Sequence, residues 1–494
     1  MNQLFDTFSV SKINFGDIDG REEAKLDNFE ELFYDKDNYY LDLMNSSKFL
    51  ILGRKGAGKT ILVNYLKKKN IINPDVFINL LDISDVTSKK LQIFHNEDIQ
   101  KDEMDSFWEY VFLLEFSEQM ISESSFFQKF FPWSNVKKLK KEIKESKFYL
   151  SGFSETNRIE GSLGVSESAK FTPKVKAGSE VTKTYTKAKY YHLVEGLSSL
   201  IKNSIKMENK KRFIIYDDVD ELYDQSKDRD FFLAMMNAMI RSAKRFNDNY
   251  FNSSGFKVIL VFRKDILKEL QSRASNLNKI VGSSSIDINW IDYQKDINNP
   301  LIKLIIHKIR YSTDLYSESD EDIFYSVLGQ ESSGETLVEM LLDRTFGRPR
   351  DVINFLKIYQ ESYPLDKRFL IKNMKKCYKK YSEWFYNEIA NEIHILENKK
   401  EIEETIRAIQ EMKKKKFSID ELKIFINDSE SFSSYEIKNL RDNINKLYEL
   451  SVIGNISNNG KAVEFFYRTN HSSNANFDMK FIVHFGIQPY LSLS

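Results

Sequence analysis

The stretch FLILGRKGAGKTILVNYL, residues 49–66, decides how the rest of the chain is read. Phe49–Leu52 are apolar and read as a buried strand. Gly53, Arg54, Lys55, Gly56, Ala57, Gly58, Lys59 and Thr60 follow in the spacing G-x-x-x-x-G-K-[ST]. Ile61, Leu62, Val63, Tyr65 and Leu66 then start a helix that would pack on that strand. Strand, glycine loop and helix is what phosphate binding needs. Glycine permits a turn that points backbone N–H groups inward, and the helix N-terminus adds its partial positive charge. Residues Gly53 through Ile61 are therefore expected to contact a nucleotide. Lys59 should reach the β- and γ-phosphates, and Thr60 should hold Mg2+ through its hydroxyl. The competing reading is a plain glycine turn with a basic flank.

Bulk properties narrow the rest. A chain of 494 residues implies two to four domains. Lys+Arg and Asp+Glu balance at 73 each, so a basic surface for nucleic acid would have to be local. Cys377 is the single cysteine, which excludes an intrachain disulfide. The six histidines are scattered, so no zinc site is expected. There is no apolar run of membrane-spanning length and no N-terminal signal pattern. The expectation is a soluble cytoplasmic protein without membrane contact.

A phosphate loop needs a partner strand that ends in acid. KRFIIYDDVDEL, residues 211–222, supplies one. Asp217 follows the apolar run Phe213–Tyr216 and is expected to bind Mg2+ through water. Asp218 is placed to orient or deprotonate an attacking water. The competing reading of this stretch is a solvated acidic loop. The next apolar strand, FKVILVF at 256–262, ends at Arg263. Arg263 reads equally as a γ-phosphate contact or as an ordinary strand-end salt bridge. Farther on, DRTFGRPRDVINFL (343–356) puts Arg348 and Arg350 at a helix start. Cations there oppose the helix dipole, which an anionic ligand would explain.

These four stations, in this order, resemble those of AAA+ and STAND-type P-loop ATPases. The loop matches Walker A, and IIYDDVD is similar to Walker B, with Asp217 as the metal residue. Asp218 stands where AAA+ proteins usually carry glutamate and STAND proteins often carry a second aspartate. VILVFR resembles a STAND sensor 1 ending in Arg263. GRPRDV resembles a sensor 2 motif, with Arg350 the better match. The lead-in INFGDIDGREEAKLDNF (13–29) resembles that of FunZ-like bacterial ATPases, some relatives of which lie in phage-defence loci. The resemblance implies an α/β fold: an ASCE/AAA+-like parallel sheet core, a helical lid and a winged helix. It implies ATP and Mg2+ as ligands, with Asp218, Lys59, Arg263 and Arg350 in catalysis and Thr60 and Asp217 on the metal.

The expected organisation is a lead-in at 1–47, an ATPase core at 48–292, a helical lid at 293–400 and a winged helix at 401–494. DVFINLLD (75–82) reads as a second core strand. An insertion spans about 85–205. Within it, Phe107, Val111 and Leu114 share a helical face that reads as core, and KKLKKEIKESK (137–147) reads as a solvated basic helix face. Residues 150–187 alternate like a projecting β-hairpin and carry Lys170, Lys174, Lys176, Lys183 and Lys187. The sequence turns helical from about 286. SIDE (418–421) and SSYE (433–436) read as capping boxes. The second would open a helix with Ile437, Leu440, Ile444 and Leu447 on its apolar face. Its exposed face offers Lys438, Arg441, Asn445 and Lys446. SVIGNIS, NNGK and VEFFYR then form a wing. The expected role is a nucleotide-controlled switch or assembly factor, with a homo-oligomer or a separate effector protein as partner. The alternative is a DNA-binding regulator or loader that uses the winged helix or the lysine-bearing insertion. Arg241 and Arg245 are weak candidates for an arginine offered to a neighbouring subunit.

Overall fold

The computed structural model describes residues 8–82, 103–124, 141, 190–205, 210–219, 229–274, 276–329, 335–394, 396, 398–457, 460, 462–469 and 474–493. The proposed hairpin at 150–187 and nearly all of 137–147 lie outside them. The chain divides into two compact units. One comprises Asp37–Lys55 and Lys59–Ile288; the other comprises Met1–Lys36, Gly56–Gly58 and Asn289–Ser494.

The first unit begins with α1 (Tyr39–Asn45), β1 (Leu50–Gly53) and α2 (Lys59–Lys69). β2 (Val76–Asp82), α3 (Met104–Ser124), α4 (Tyr190–Ile205) and β3 (Lys211–Asp217) follow. It ends with α5 (Arg229–Ser254), β4 (Phe256–Arg263), α6 (Lys264–Arg273), α7 (Leu277–Ser284) and β5 (Ser285–Ile288). The five strands form one sheet in the order β2-β3-β4-β1-β5, with all neighbours parallel. β1 is buried throughout, and β3 and β4 are buried except at one end residue each. Near-continuous apolar runs are what a sheet covered on both faces requires. β5 lies at the point where the sequence pattern alone suggested the onset of helices. Its four residues alternate in burial, so the strand signal is short and weak.

Aromatic stacking fastens α3 and α5 to the sheet. Phe116 stacks on Phe246 and on Phe256, with ring centroids 5.2 and 4.6 Å apart. The Trp108 indole N–H donates to the Met235 carbonyl at 2.9 Å. Phe107, Val111 and Leu114 are buried, as their spacing predicts. Arg241 and Arg245 pair with Asp105 and Glu109 of α3 at 2.6 and 3.3 Å, which ties both cations within their own chain.

The second unit holds α8 (Pro300–Ser312), α9 (Leu337–Asp343), α10 (Pro349–Ser362), α11 (Ile371–His394) and α12 (Lys399–Met412). β6 (Lys416–Phe417), α13 (Ile419–Asp428), α14 (Leu440–Glu449), β7 (Ile453–Ile456), β8 (Val463–Glu464) and β9 (Phe481–Val483) also belong to it, along with shorter helical turns. Asn299 caps α8 and Pro300 occupies its first turn, where a missing N–H costs nothing. The N-terminal segment packs here. Gln360 donates to the carbonyls of Val10 and Ile13, and Lys357 donates to that of Gly16. Glu23 and Lys308 form a fully buried ion pair at 2.6 Å. Burial raises the Glu23 pKa, and Lys308 opposes that shift.

The carboxy-terminal elements make a winged helix, with a small antiparallel sheet in the order β6-β9-β7-β8. The β7–β8 wing appears where the sequence placed it, with Ile456 opposite Val463. Ser418 and Glu421 form the expected capping box. The box at Ser433 does not form. Glu436 turns forward to Asn439 at 3.3 Å and to Lys438 at 2.9 Å, and α14 begins only at Leu440. Leu440, Ile444 and Leu447 are buried, and Ile437 is half-buried in the preceding 3-10 turn. Among the described residues, no helix is long and apolar enough to cross a membrane.

A buried lysine in the first unit gives a pH test. The Lys257 ammonium is enclosed, donating to the carbonyls of Leu43 and Ser46 at 2.6 and 2.8 Å. Burial, with Lys211 nearby, lowers its pKa to about 7, although Asp42 pulls the other way. Between that pH and about 10.4 the unfolded chain holds a proton that the folded chain has lost, so stability rises with pH. Relative to Lys257→Met, the wild type should gain roughly 3 kcal/mol between about pH 7 and 9.5. Urea unfolding of both proteins at the two pH values measures this, and parallel stabilities would refute it.

Candidate functional site

β1 delivers the chain into the phosphate loop at Gly53, and α2 begins at Lys59. Gly56 and Gly58 have φ of 77° and 94°, a region that side chains rarely adopt, so glycine is required at both. The Lys59 ammonium folds back to the Arg54 carbonyl at 3.2 Å. The Asn64 side chain donates to the Thr60 carbonyl at 2.8 Å and steadies the first turn of α2.

The acid strand meets this turn. Asp217, at the end of β3, is 3% exposed. Its carboxylate accepts hydrogen bonds from the Thr60 hydroxyl and the Asp218 backbone. Burial and the neighbouring Asp218 charge nevertheless push its pKa up to about 7, against the pull of Lys59. Among the described residues, its Oδ1 has no hydrogen-bond partner. A buried carboxylate oxygen without a donor, beside a threonine hydroxyl and a second carboxylate, is a hard-oxygen set that fits Mg2+. A divalent cation there would relieve both the desolvation and the like-charge repulsion. Asp218 directly follows the strand with φ of 52°, in the left-handed region. Aspartate tolerates that conformation better than most residues, and strain of this kind concentrates at functional sites.

Arg263 stands at the tip of β4, in register with Gly53 of β1. It makes the strand-end salt bridge: Nε and Nη2 reach the two Asp265 oxygens at 3.2 and 2.6 Å. Desolvation would raise the Asp265 pKa, but Arg263, with Lys59 behind it, holds it below the usual range. Asp265 was missed in the sequence; its signal was an acid two residues beyond an arginine. The first unit thus brings Lys59, Thr60, Asp217, Asp218, Arg263 and Asp265 together at one end of the sheet.

Arg350 lies in the second unit, along with residues 56–58. Its guanidinium pairs with Glu388 at 3.0 Å and donates to the Ile18 carbonyl at 3.3 Å. Its backbone N–H points to the Gly56 carbonyl at 3.5 Å. Arg348 is buried and grips Asp351 through two hydrogen bonds of 2.9 and 2.8 Å, with Glu392 at 3.6 Å. These carboxylates offset the unfavourable placing of two cations at the start of α10. No external anion is needed to explain them.

A parallel sheet in this strand order, with a glycine loop between β1 and α2, defines an α/β P-loop NTPase fold of the AAA+-like kind. Residues 299–390, which run from α8 into α11, match the family described as a FunZ-associated C-terminal helical domain. No curated protein matches the chain. Among solved structures, the chain is similar to the crystal structure of Cdc6p from Pyrobaculum aerophilum. That match has 12% identity, a TM-score of 0.32, and coverage of 95% of this chain and 97% of that one. The fold assignment rests on strand order and loop geometry.

The left-handed backbone at Asp218 is testable apart from any ligand. Asp218→Asn should leave stability nearly unchanged, because asparagine tolerates this region. Asp218→Val should cost about 1–2 kcal/mol by denaturant unfolding. Equal stabilities for the two variants would show that the backbone there is relaxed.

Proposed function

We propose that this protein is a Mg2+-dependent ATPase of AAA+/STAND type, acting in the cytoplasm as a nucleotide-controlled switch or assembly factor. The observation that carries the reading is the unsatisfied Asp217 oxygen beside Thr60, where the glycine loop ends in Lys59. In this reading, residues 53–61 hold the phosphates through backbone N–H groups, and Lys59 leaves the Arg54 carbonyl for the β- and γ-phosphates. Thr60 and Asp217 hold the metal, partly through water. Bound Mg2+ would neutralise charge on the β- and γ-phosphate oxygens. Asp218 orients a water toward the γ-phosphorus and accepts its proton as the new P–O bond forms. The bond to the bridging oxygen breaks, its electron pair leaves with ADP, and inorganic phosphate is released.

The arginines favour a switch over a fast engine. Arg263 is held by Asp265, and Arg350 by Glu388 and the Ile18 carbonyl. To reach a γ-phosphate, each would have to exchange a carboxylate for the phosphate, so nucleotide state would set which partner each arginine holds. A homo-oligomer or a separate effector would read that state, and a role in antiviral defence is one setting for it. The DNA-regulator reading draws on the winged helix. It is weakened because Lys438 and Lys446 pair with Glu436 and Glu449, each at 2.9 Å, and Arg441 lies over the Phe477 ring.

Lys59→Ala should abolish ATP binding in calorimetry. Asp218→Asn should bind MgATP normally and lose phosphate release by about a hundredfold or more. Wild-type turnover by both variants would sink the assignment. For the runner-up, salt-dependent retardation of duplex DNA is the test, and no binding at low salt with or without ATP would remove it.

A further inference from the structure

A phosphate loop that turns its N–H groups toward phosphates turns its carbonyls the other way. Those oxygens still need donors when buried. Two of them, on consecutive residues, are met by groups of the second unit, to which residues 56–58 belong. The Trp290 indole N–H donates to the Ala57 carbonyl at 2.9 Å in a buried contact. The Arg350 backbone N–H approaches the Gly56 carbonyl at 3.5 Å. Gly56 lies so close that a Cβ there would stand 3.1 Å from the Arg350 Cβ and 3.7 Å from the Arg348 Cδ. The loop tip is thus gripped from behind.

Of these contacts, Trp290 is the one made by a dedicated side chain. The indole is 8% exposed, and its ring lies 6.3 Å from that of Tyr34. Ala57 is itself buried at 4%. A buried carbonyl with a single strong donor has nothing to replace that donor if it is lost. Trp290 also follows β5 by two residues, where the chain leaves the sheet for α8. A shift of the loop tip on nucleotide binding would therefore act directly on the indole.

We propose that Trp290 is a positioning residue for the phosphate loop. It fixes the Ala57 carbonyl so that the neighbouring N–H groups stay aimed at the phosphates, and its indole registers whether the loop is filled. This rests on the ATP-binding reading of residues 53–61. It adds a residue that touches no substrate and acts through the loop alone.

The test uses the full chain as wild type, Trp290→Phe and Lys59→Ala. Phenylalanine keeps an aromatic ring and removes the N–H. Trp290→Phe should weaken MgATP binding roughly two- to tenfold, as expected for one lost hydrogen bond. KM should rise by the same factor while kcat at saturation holds, a split that general destabilisation would not produce. In wild type labelled with fluorotryptophan, the resonance missing from Trp290→Phe should move on adding MgATP. The same resonance in Lys59→Ala should stay still. A wild type that binds MgATP with that resonance fixed, or a Trp290→Phe protein with unchanged affinity, overturns the proposal. Hydrogen exchange separates this from failure of the nucleotide reading. Without nucleotide, Trp290→Phe should lose protection in the peptide covering residues 50–66 and keep it elsewhere. If the wild type binds no ATP, that loss still upholds the clamp, and unchanged protection overturns it. If Trp290→Phe misfolds, Trp290→Tyr, which also lacks the indole N–H, replaces it for the assignment and the affinity measurement.

Discussion

The site depends on one pairing, the parallel insertion of β4 between β1 and β3. Adjacent strands lie about 4.8 Å apart, so this insertion puts the phosphate-loop strand roughly 10 Å from the acid strand. Gly53 and Asp217 are therefore too far apart to touch directly. The first turn of α2 bridges the gap, with the Thr60 hydroxyl bonded to the Asp217 carboxylate. The inserted strand brings its own tip residue, Arg263, level with Gly53. Had β3 paired with β1 directly, the carboxylate would crowd the loop and leave less room for a metal between hydroxyl and acid. The spacing of the chemistry is thus a property of strand order.

That order was only partly legible in the chain. The strand at 49–52, the glycines and Lys59 announce themselves through composition, because a left-handed turn at Gly56 and Gly58 admits little else. The acid strand was legible because an apolar run ends abruptly in two aspartates. The insertion of β4 between the two strands came only with the resemblance to an ASCE/AAA+-like core, since pairing among buried parallel strands is set by crossovers that no local pattern encodes. β5 and β9 were missed because strands of four and three residues carry too little alternation to stand out from their surroundings. The Ser433 capping box failed for a different reason. Its glutamate had two competing partners, Asn439 and Lys438, one turn ahead.

The sequence was least informative about charge. Arg348 and Arg350 looked like cations in want of an anion, and Arg263 read equally as such a cation or as a strand-end salt bridge. In the fold each has one from its own chain: Asp265 for Arg263, Asp351 and Glu392 for Arg348, Glu388 for Arg350. These acids lie 2 to 44 positions away in sequence, so only Asp265 and Asp351 leave a local trace. Burial explains the need. Arg348 is 3% exposed, and an unpaired guanidinium there would face a desolvation cost of several kcal/mol.

This arrangement changes what a triphosphate would meet. An array of unpaired arginines would bind phosphate tightly and release it slowly. Arginines already neutralised gain from a phosphate only the difference between it and the carboxylate they give up. Asp217 shows the opposite bias, because its carboxylate is disfavoured as a charge until a cation arrives. The acid pair thus asks for metal, while the arginines ask for little until the nucleotide is in place. Burial of Asp217 thus favours a cation beside it, whereas Arg263 and Arg350 already hold carboxylates of their own chain. Under the proposed switch reading, release of the arginines from these carboxylates would follow from nucleotide occupancy.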